Sequence, residues 1–125
     1  MTETPLLSVV VPVYNEDAII ASFCEHLSTV LRECVPEYEV LLVDDGSTDA
    51  SVATLRRLSA GDPRLRYLSL SRNFGHQVAV KAGLHHAVGR VVVTMDGDGQ
   101  HLAEIIPRML ELWEDRLHRP ERELP

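Results

Sequence analysis

The residues from Leu6 to Val13, LLSVVVPV, form a nearly unbroken apolar and β-branched run. A strand with one wet face alternates polar and apolar residues. A strand without that alternation is buried on both faces, as in a parallel sheet covered by helices. Glu39 to Val43 (EVLLV), Leu65 to Leu70 and Arg90 to Met95 (RVVVTM) repeat the theme. Between the first two runs, Ile20, Phe23, Cys24, Leu27, Val30, Leu31 and Cys34 keep helical spacing. Asn15 or Asp17 can cap that helix, and Pro36 ends it. A short helix over 50–60 presents Val52, Leu55 and Leu58 on one side, and Gly61-Asp62-Pro63 makes a turn. A third helix is expected over 75–88. A last one starts near Leu102, to be interrupted or restarted at Pro107. The order β-α-β-α-β-α-β-α predicts an α/β fold of three layers, Rossmann-like, with a mostly parallel sheet and right-handed crossovers.

Composition narrows the function. Hydrophobic residues make up 45% of the 125 and charged residues 25%, as in a soluble globular domain. Twelve Lys and Arg against 19 Asp and Glu give a formal charge of −7, which argues against a binder of nucleic acid or anionic membrane. A phosphate-bearing ligand then needs a bound cation or a local basic pocket. Cys24 and Cys34 lie ten residues apart in one predicted helix, roughly 15 Å along its axis, too far for a disulfide. They read as reduced, buried thiols of a cytoplasmic protein. The start of the chain has no signal-peptide pattern, and no segment approaches the roughly 18 apolar residues that span a bilayer.

The polar residues gather where the strands end. The first strand exits into Tyr14-Asn15-Glu16, the second into Asp44-Asp45-Gly46-Ser47, the third into Ser71-Arg72-Asn73 and the fourth into Asp96-Gly97-Asp98-Gly99-Gln100-His101. Ligands of open parallel sheets bind beyond the carboxyl ends of strands, where strand order reverses, so these exits predict one acidic cleft. Asp96 and Asp98, separated by a glycine that permits a tight turn, offer hard oxygens for Mg²⁺ or Mn²⁺, and Gln100 can add a neutral one. An ion held by few protein ligands keeps positions open for a diphosphate. The competing reading is a solvated Asp-Gly turn. A calcium loop is excluded, because counting from Asp96 the sixth position is His101 and the twelfth Pro107. Asp44 and Asp45 can accept hydrogen bonds from a base or ribose, with helix capping falling to Ser47 through Asp49. Arg72 and Lys81 are either diphosphate contacts or solvated surface charges. Only His76 and His101 among the histidines fall near the cleft, and Trp113 reads as core. There is no GxGxxG after the first strand and no GxxxxGK[ST], which removes dinucleotide and P-loop enzymes.

Taken together, VVVPVYNE (Val9 to Glu16), VDDGSTD (Val43 to Asp49), SRNFGHQVAVKAGL (Ser71 to Leu84) and VVTMDGDGQH (Val92 to His101) resemble family-2 glycosyltransferases. The likeness covers about residues 6–112 and is strongest to the polyprenyl-phosphate group, which includes dolichyl-phosphate mannose synthases and bactoprenol glucosyltransferases. It implies a GT-A fold, a UDP- or GDP-linked sugar donor, a divalent metal and inversion at the anomeric carbon. Matched residue by residue, it implies that Pro12, Tyr14, Asn15 and Glu16 line a nucleoside pocket. Asp44 and Asp45 would contact base and ribose; Gly46, Ser47, Arg72 and Lys81 are further nucleotide-binding candidates beside that match. Asp96, Asp98 and Gln100 would surround metal and diphosphate, with Asp96 and Asp98 carrying the catalysis. The family more often has Asp-Ala-Asp-Leu-Gln where this chain has Asp-Gly-Asp-Gly-Gln, so a looser loop is expected here.

The same resemblance places an acceptor half, with membrane helices in many members, beyond the point where this chain stops. Residues 6–113 are therefore expected to form a nucleotide-sugar-binding subdomain and 114–125 a charged, frayed tail. A homo-oligomer or a second chain would complete the acceptor site, with the cytoplasmic face of the membrane as the setting if the full-length parent carries membrane helices. The alternative is a nucleotide-sugar-binding module, or an inactive truncated fragment, without turnover.

Overall fold

A computed structural model of the chain describes residues 5–96 and 103–118. The elements run β1 (Leu7–Val13), α1 (Ile20–Cys34), β2 (Tyr38–Asp44), α2 (Ser51–Gly61), β3 (Leu65–Ser69), α3 (His76–His86), β4 (Val91–Thr94), a 3₁₀ turn (Ala103–Ile105) and α4 (Ile106–His118). The four strands pair in the order β3-β2-β1-β4, all parallel. β1 and β2 lie in the middle and are buried almost throughout, as their unbroken apolar runs require. β4 lies at one end of the sheet and alternates, with Val91 and Val93 half-buried and Val92 and Thr94 exposed.

Strand order dictates the layers. The chain steps from β1 to β2 to β3 in one direction, and right-handed crossovers put α1 and α2 on one face. It then returns past β1 to lay down β4, which sends α3 to the other face. The packing follows this division. Leu7, Val9, Val11 and Val13 of β1 bury with Ile20, Phe23, Leu27 and Leu31 of α1, Leu55 of α2, and Ile106 and Leu110 of α4. Val10, Leu41 and Val43 pack on the opposite face with Ala79 of α3. α3 approaches so closely that a Cβ at Gly83 would sit 2.3 Å from Cγ1 of Val10.

Several local expectations are corrected. Neither Asn15 nor Asp17 caps α1, which starts at Ile20 without a side-chain cap. Asn15 Oδ1 instead accepts the Thr48 and Asp49 amides before α2, and Asp17 Oδ1 accepts the Thr54 hydroxyl within α2. Asp49, rather than Ser47, serves α2 by accepting the Ser51 amide at 2.9 Å. The last helical stretch does restart at Pro107, as a 3₁₀ turn over Ala103–Ile105 gives way to α4 at Ile106. Pro107 sits in the first turn, where no intrahelical N–H is required. α4 runs on to His118, so the first part of the segment expected to fray is helical. Of the two thiols Cys24 is buried but Cys34 is exposed. Trp113 is half-exposed, with the Arg90 guanidinium 5.6 Å above its ring, rather than part of the core. Among the described residues, no helix is long and apolar enough to cross a membrane.

Candidate nucleotide site at the strand-order reversal

The reversal lies between β1 and β4, and a cleft of ≈ 450 Å³ opens at their carboxyl ends. That volume suits a small-molecule ligand. Pro12, Val13, Tyr14 and Glu16 line it from β1 and its exit, and Asp45 from the end of β2. Asn73, Gly75 and His76 enter from the β3–α3 connection, and Asp96 from the end of β4. Each predicted strand exit therefore contributes. Tyr14 is 45% exposed where it lines the cleft.

The paired aspartates part company. Successive side chains of a strand point to opposite faces. Asp45 shares its face with Leu41 and Val43, on the α3 side, and reaches the cleft. There its two oxygens accept the amides of Phe74 at 2.8 Å and Gly75 at 3.1 Å, which fixes the lead into α3. Asp44 shares its face with Val40 and Leu42, is fully buried, and does not line the cleft. Its Oδ2 accepts the Ser47 amide at 3.1 Å, while Oδ1 has no hydrogen-bond partner among the described residues. Asp44 is thus a brace under the β2–α2 turn. Gly46 sits in that turn with φ 71°, and a Cβ there would lie 2.2 Å from the carbonyl carbon of Arg72. The β3–α3 connection crosses directly over it, so only glycine fits.

Other predicted residues stay outside the cleft. Ser47 spends its hydroxyl on the Asn15 amide at 2.8 Å. Asn15 turns its Oδ1 to Thr48 and Asp49. Arg72 is exposed and stacks over Phe74 at 4.7 Å, and Lys81 is exposed on α3. Asp98, Gln100 and His101 lie outside the described residues. Sequence reasoning placed Asn73 at a cleft-forming exit but left Val13 and Gly75 out of the site. Gly75 had a signal, a glycine immediately before a helix, and its φ of 106° with ψ of 157° is open to glycine alone.

The electrostatics of the cleft are acidic. Its described carboxylates are Glu16, Asp45 and Asp96, and the base among its described lining residues is His76, whose Nε2 stands 3.9 Å from Asp96 Oδ1. Both side chains are more than half exposed, so their mutual attraction is weak. Asp96 fits as a hard-oxygen ligand open to solvent. Among the described residues no three His, Cys, Asp or Glu gather into a metal cluster, and Asp98 and Gln100 fall outside that set.

Residues 8–118 match the family described as Glycosyl transferase family 2. The chain belongs to that family. An uncharacterized glycosyltransferase of Bacillus subtilis (strain 168), YkcC, is 44% identical over 108 residues, which are 86% of this chain and 33% of that protein. The undecaprenyl-phosphate 4-deoxy-4-formamido-L-arabinose transferase of Aeromonas hydrophila subsp. hydrophila is 39% identical over 111 residues, 88% of this chain and 34% of that protein. Among solved structures, the mannosyltransferase PcManGT from Pyrobaculum calidifontis, in complex with GDP-Man and Mn²⁺, superimposes with a TM-score of 0.61 at 32% identity. The match covers 78% of this chain and 28% of that one. The parallel sheet with helices on both faces is the GT-A arrangement expected of a family-2 member. This family-2 chain spans about a third of the length of the curated relatives it matches.

Proposed function

We propose that this chain supplies the donor site of an enzyme that transfers a sugar from a UDP- or GDP-linked donor to a polyprenyl phosphate, with inversion. The observation that carries the reading is the convergence of Tyr14, Glu16, Asp45 and Asp96 on one cleft at the strand-order reversal. The Aeromonas relative, an undecaprenyl-phosphate sugar transferase, supports the acceptor class. The GDP-Man and Mn²⁺ bound to the Pyrobaculum mannosyltransferase support a nucleotide sugar with a divalent ion. Tyr14 would cover the base, and Asp45 has acceptor capacity left for a base or ribose donor. Asp96, with Asp98 and Gln100, would hold Mg²⁺ or Mn²⁺. When bound, that ion neutralises charge developing on the departing nucleotide. A lipid phosphate is already anionic, so the attacking oxygen needs no proton removed by the protein. On the same reading the site would be cytoplasmic, at the cytoplasmic face of the membrane if the full-length parent carries membrane helices.

Titration calorimetry of the chain with UDP and with GDP, each with and without Mn²⁺, tests the donor half. Binding of one nucleotide that requires Mn²⁺ and disappears in Asp96→Ala is expected. Binding of neither would overturn the proposal. Radiolabelled sugar transfer to undecaprenyl phosphate by the full-length parent tests the acceptor half, and absence of a lipid-linked product would remove it.

A further inference from the structure

The β1–α1 turn carries an oddity that the donor site alone does not explain. Asn15 stands between two cleft residues, Tyr14 and Glu16, yet does not line the cleft. Its backbone has φ 51°, which makes it the one non-glycine residue with positive φ among those described. A left-handed residue other than glycine costs on the order of 1 kcal/mol and persists where its surroundings impose it. Here they do so through three hydrogen bonds to one atom. Asn15 Oδ1 accepts the amides of Thr48 at 2.8 Å and Asp49 at 3.3 Å, and the Thr48 hydroxyl at 3.4 Å. The Asn15 amide in turn donates to Ser47 Oγ at 2.8 Å.

The tie extends along the turn. The Glu16 amide donates to Ser51 Oγ at 3.0 Å and the Asp17 amide to Asp49 Oδ2 at 3.3 Å. The Thr54 hydroxyl donates to Asp17 Oδ1 at 2.6 Å. Three consecutive amides of the β1–α1 turn are thus held by side chains from the β2–α2 region. This junction reinforces the backbone link between the two strand exits, in which the Asp45 amide donates to the Val13 carbonyl at 2.8 Å.

We propose that Asn15 is a positioning residue of the donor cleft, a latch that bends the chain after β1 and seats it on the Ser47–Asp49 segment. With Asn15 locked outward, Tyr14 and Glu16 are left facing the ligand. The inference rests on the nucleotide-binding reading above. It assigns Asn15 a role distinct from the ligand contact that the family motif implies, because its acceptor oxygen is already engaged within the protein.

Three variants separate the roles in the full chain. Asn15→Asp keeps acceptor oxygens and tolerates the left-handed backbone. Asn15→Gly keeps the backbone but loses the acceptors, and Asn15→Ala loses both. Calorimetry with UDP and GDP in Mn²⁺ is expected to give Asn15→Asp a Kd near that of the wild type. Asn15→Gly should bind at least about tenfold more weakly, a loss of roughly 1.4 kcal/mol, while still melting cooperatively. Wild-type affinity in Asn15→Gly, or equal loss in the Asp and Gly variants, overturns the latch.

If the wild type binds neither nucleotide, the proposed function fails and the latch is judged by amide NMR. Faster exchange at Thr48 with displaced Tyr14 and Glu16 signals in Asn15→Gly upholds it. Unchanged Tyr14 and Glu16 signals sink it.

Discussion

Asp45 accepts the Gly75 amide at 3.1 Å, and this bond joins the exit of β2 to the start of α3 across the floor of the cleft. The other oxygen takes the Phe74 amide, so one carboxylate sets the path of the loop that brings Asn73 and His76 to the site. Asp45 is 4% exposed, and its removal leaves the part-buried Phe74 and Gly75 amides without their carboxylate partner. Asp45→Ala is expected to destabilise the chain by about 1–3 kcal/mol. Gly75→Ala should cost a similar amount through backbone strain at φ 106°. Urea denaturation checks both, and a loss within error for either would show that the loop reseats without the bond.

Two glycines should respond in opposite directions to the same substitution. A Cβ at Gly83 meets Val10 at 2.3 Å and Val43 at 3.1 Å, at the contact between α3 and the sheet. Gly83→Ala is therefore expected to lose about 1–3 kcal/mol by overpacking. A Cβ added at Gly61, the last residue of α2, would meet nothing within 4 Å among the described residues, and Gly61 has no positive φ. Gly61→Ala should gain about 0.4–1 kcal/mol, chiefly by restricting the unfolded chain. Thermal melts of the pair side by side test the sign of each.

Stability should fall in acid through Glu39, at the far end of the sheet from the cleft. Its carboxylate is buried, which opposes ionisation. Hydrogen bonds from the Ser8 hydroxyl, the Val88 amide and Arg66 outweigh that, and hold its pKa below the ordinary 4.5. A depressed folded value means the contribution is complete above pH 4.5 and is lost as pH drops through the lower folded value. In Glu39→Gln the acid limb of a stability-versus-pH curve should be shallower, with the neutral plateau lowered. An unaltered acid limb would exclude Glu39 as its source.

The two thiols should differ sharply in reactivity. Burial pushes the Cys24 thiol up to about 12, whereas Cys34 is exposed at the end of α1. Near neutral pH, iodoacetamide should modify Cys34 alone, and Cys24 only after denaturant is added. Mass spectrometry of the folded chain with two adducts would contradict the packing of α1 against β1.

What the sequence determined by itself was the layering and the address of the site. Unalternated β-branched runs separated by helical segments point to a parallel sheet, as β1 and β2 bear out, and the polar exits then share one edge. This placed Tyr14, Glu16, Asp45 and Asp96 together from local pattern alone. The structure decided which polar residues face the ligand and which face the protein. Asp44 and Asp45 are adjacent in the motif, but the two-residue period of a strand sends Asp44 under the α2 turn and Asp45 to the cleft. Asn15 and Ser47 read as pocket residues, yet they bond to each other's segments across 32 positions of chain. Arg72 and Lys81 carried the right charge for a diphosphate and ended at the surface. Local pattern records residue type and period. Which hydrogen bonds close between distant loops depends on the distance and direction at which β1, β2 and α3 meet, and only the packed sheet supplies that.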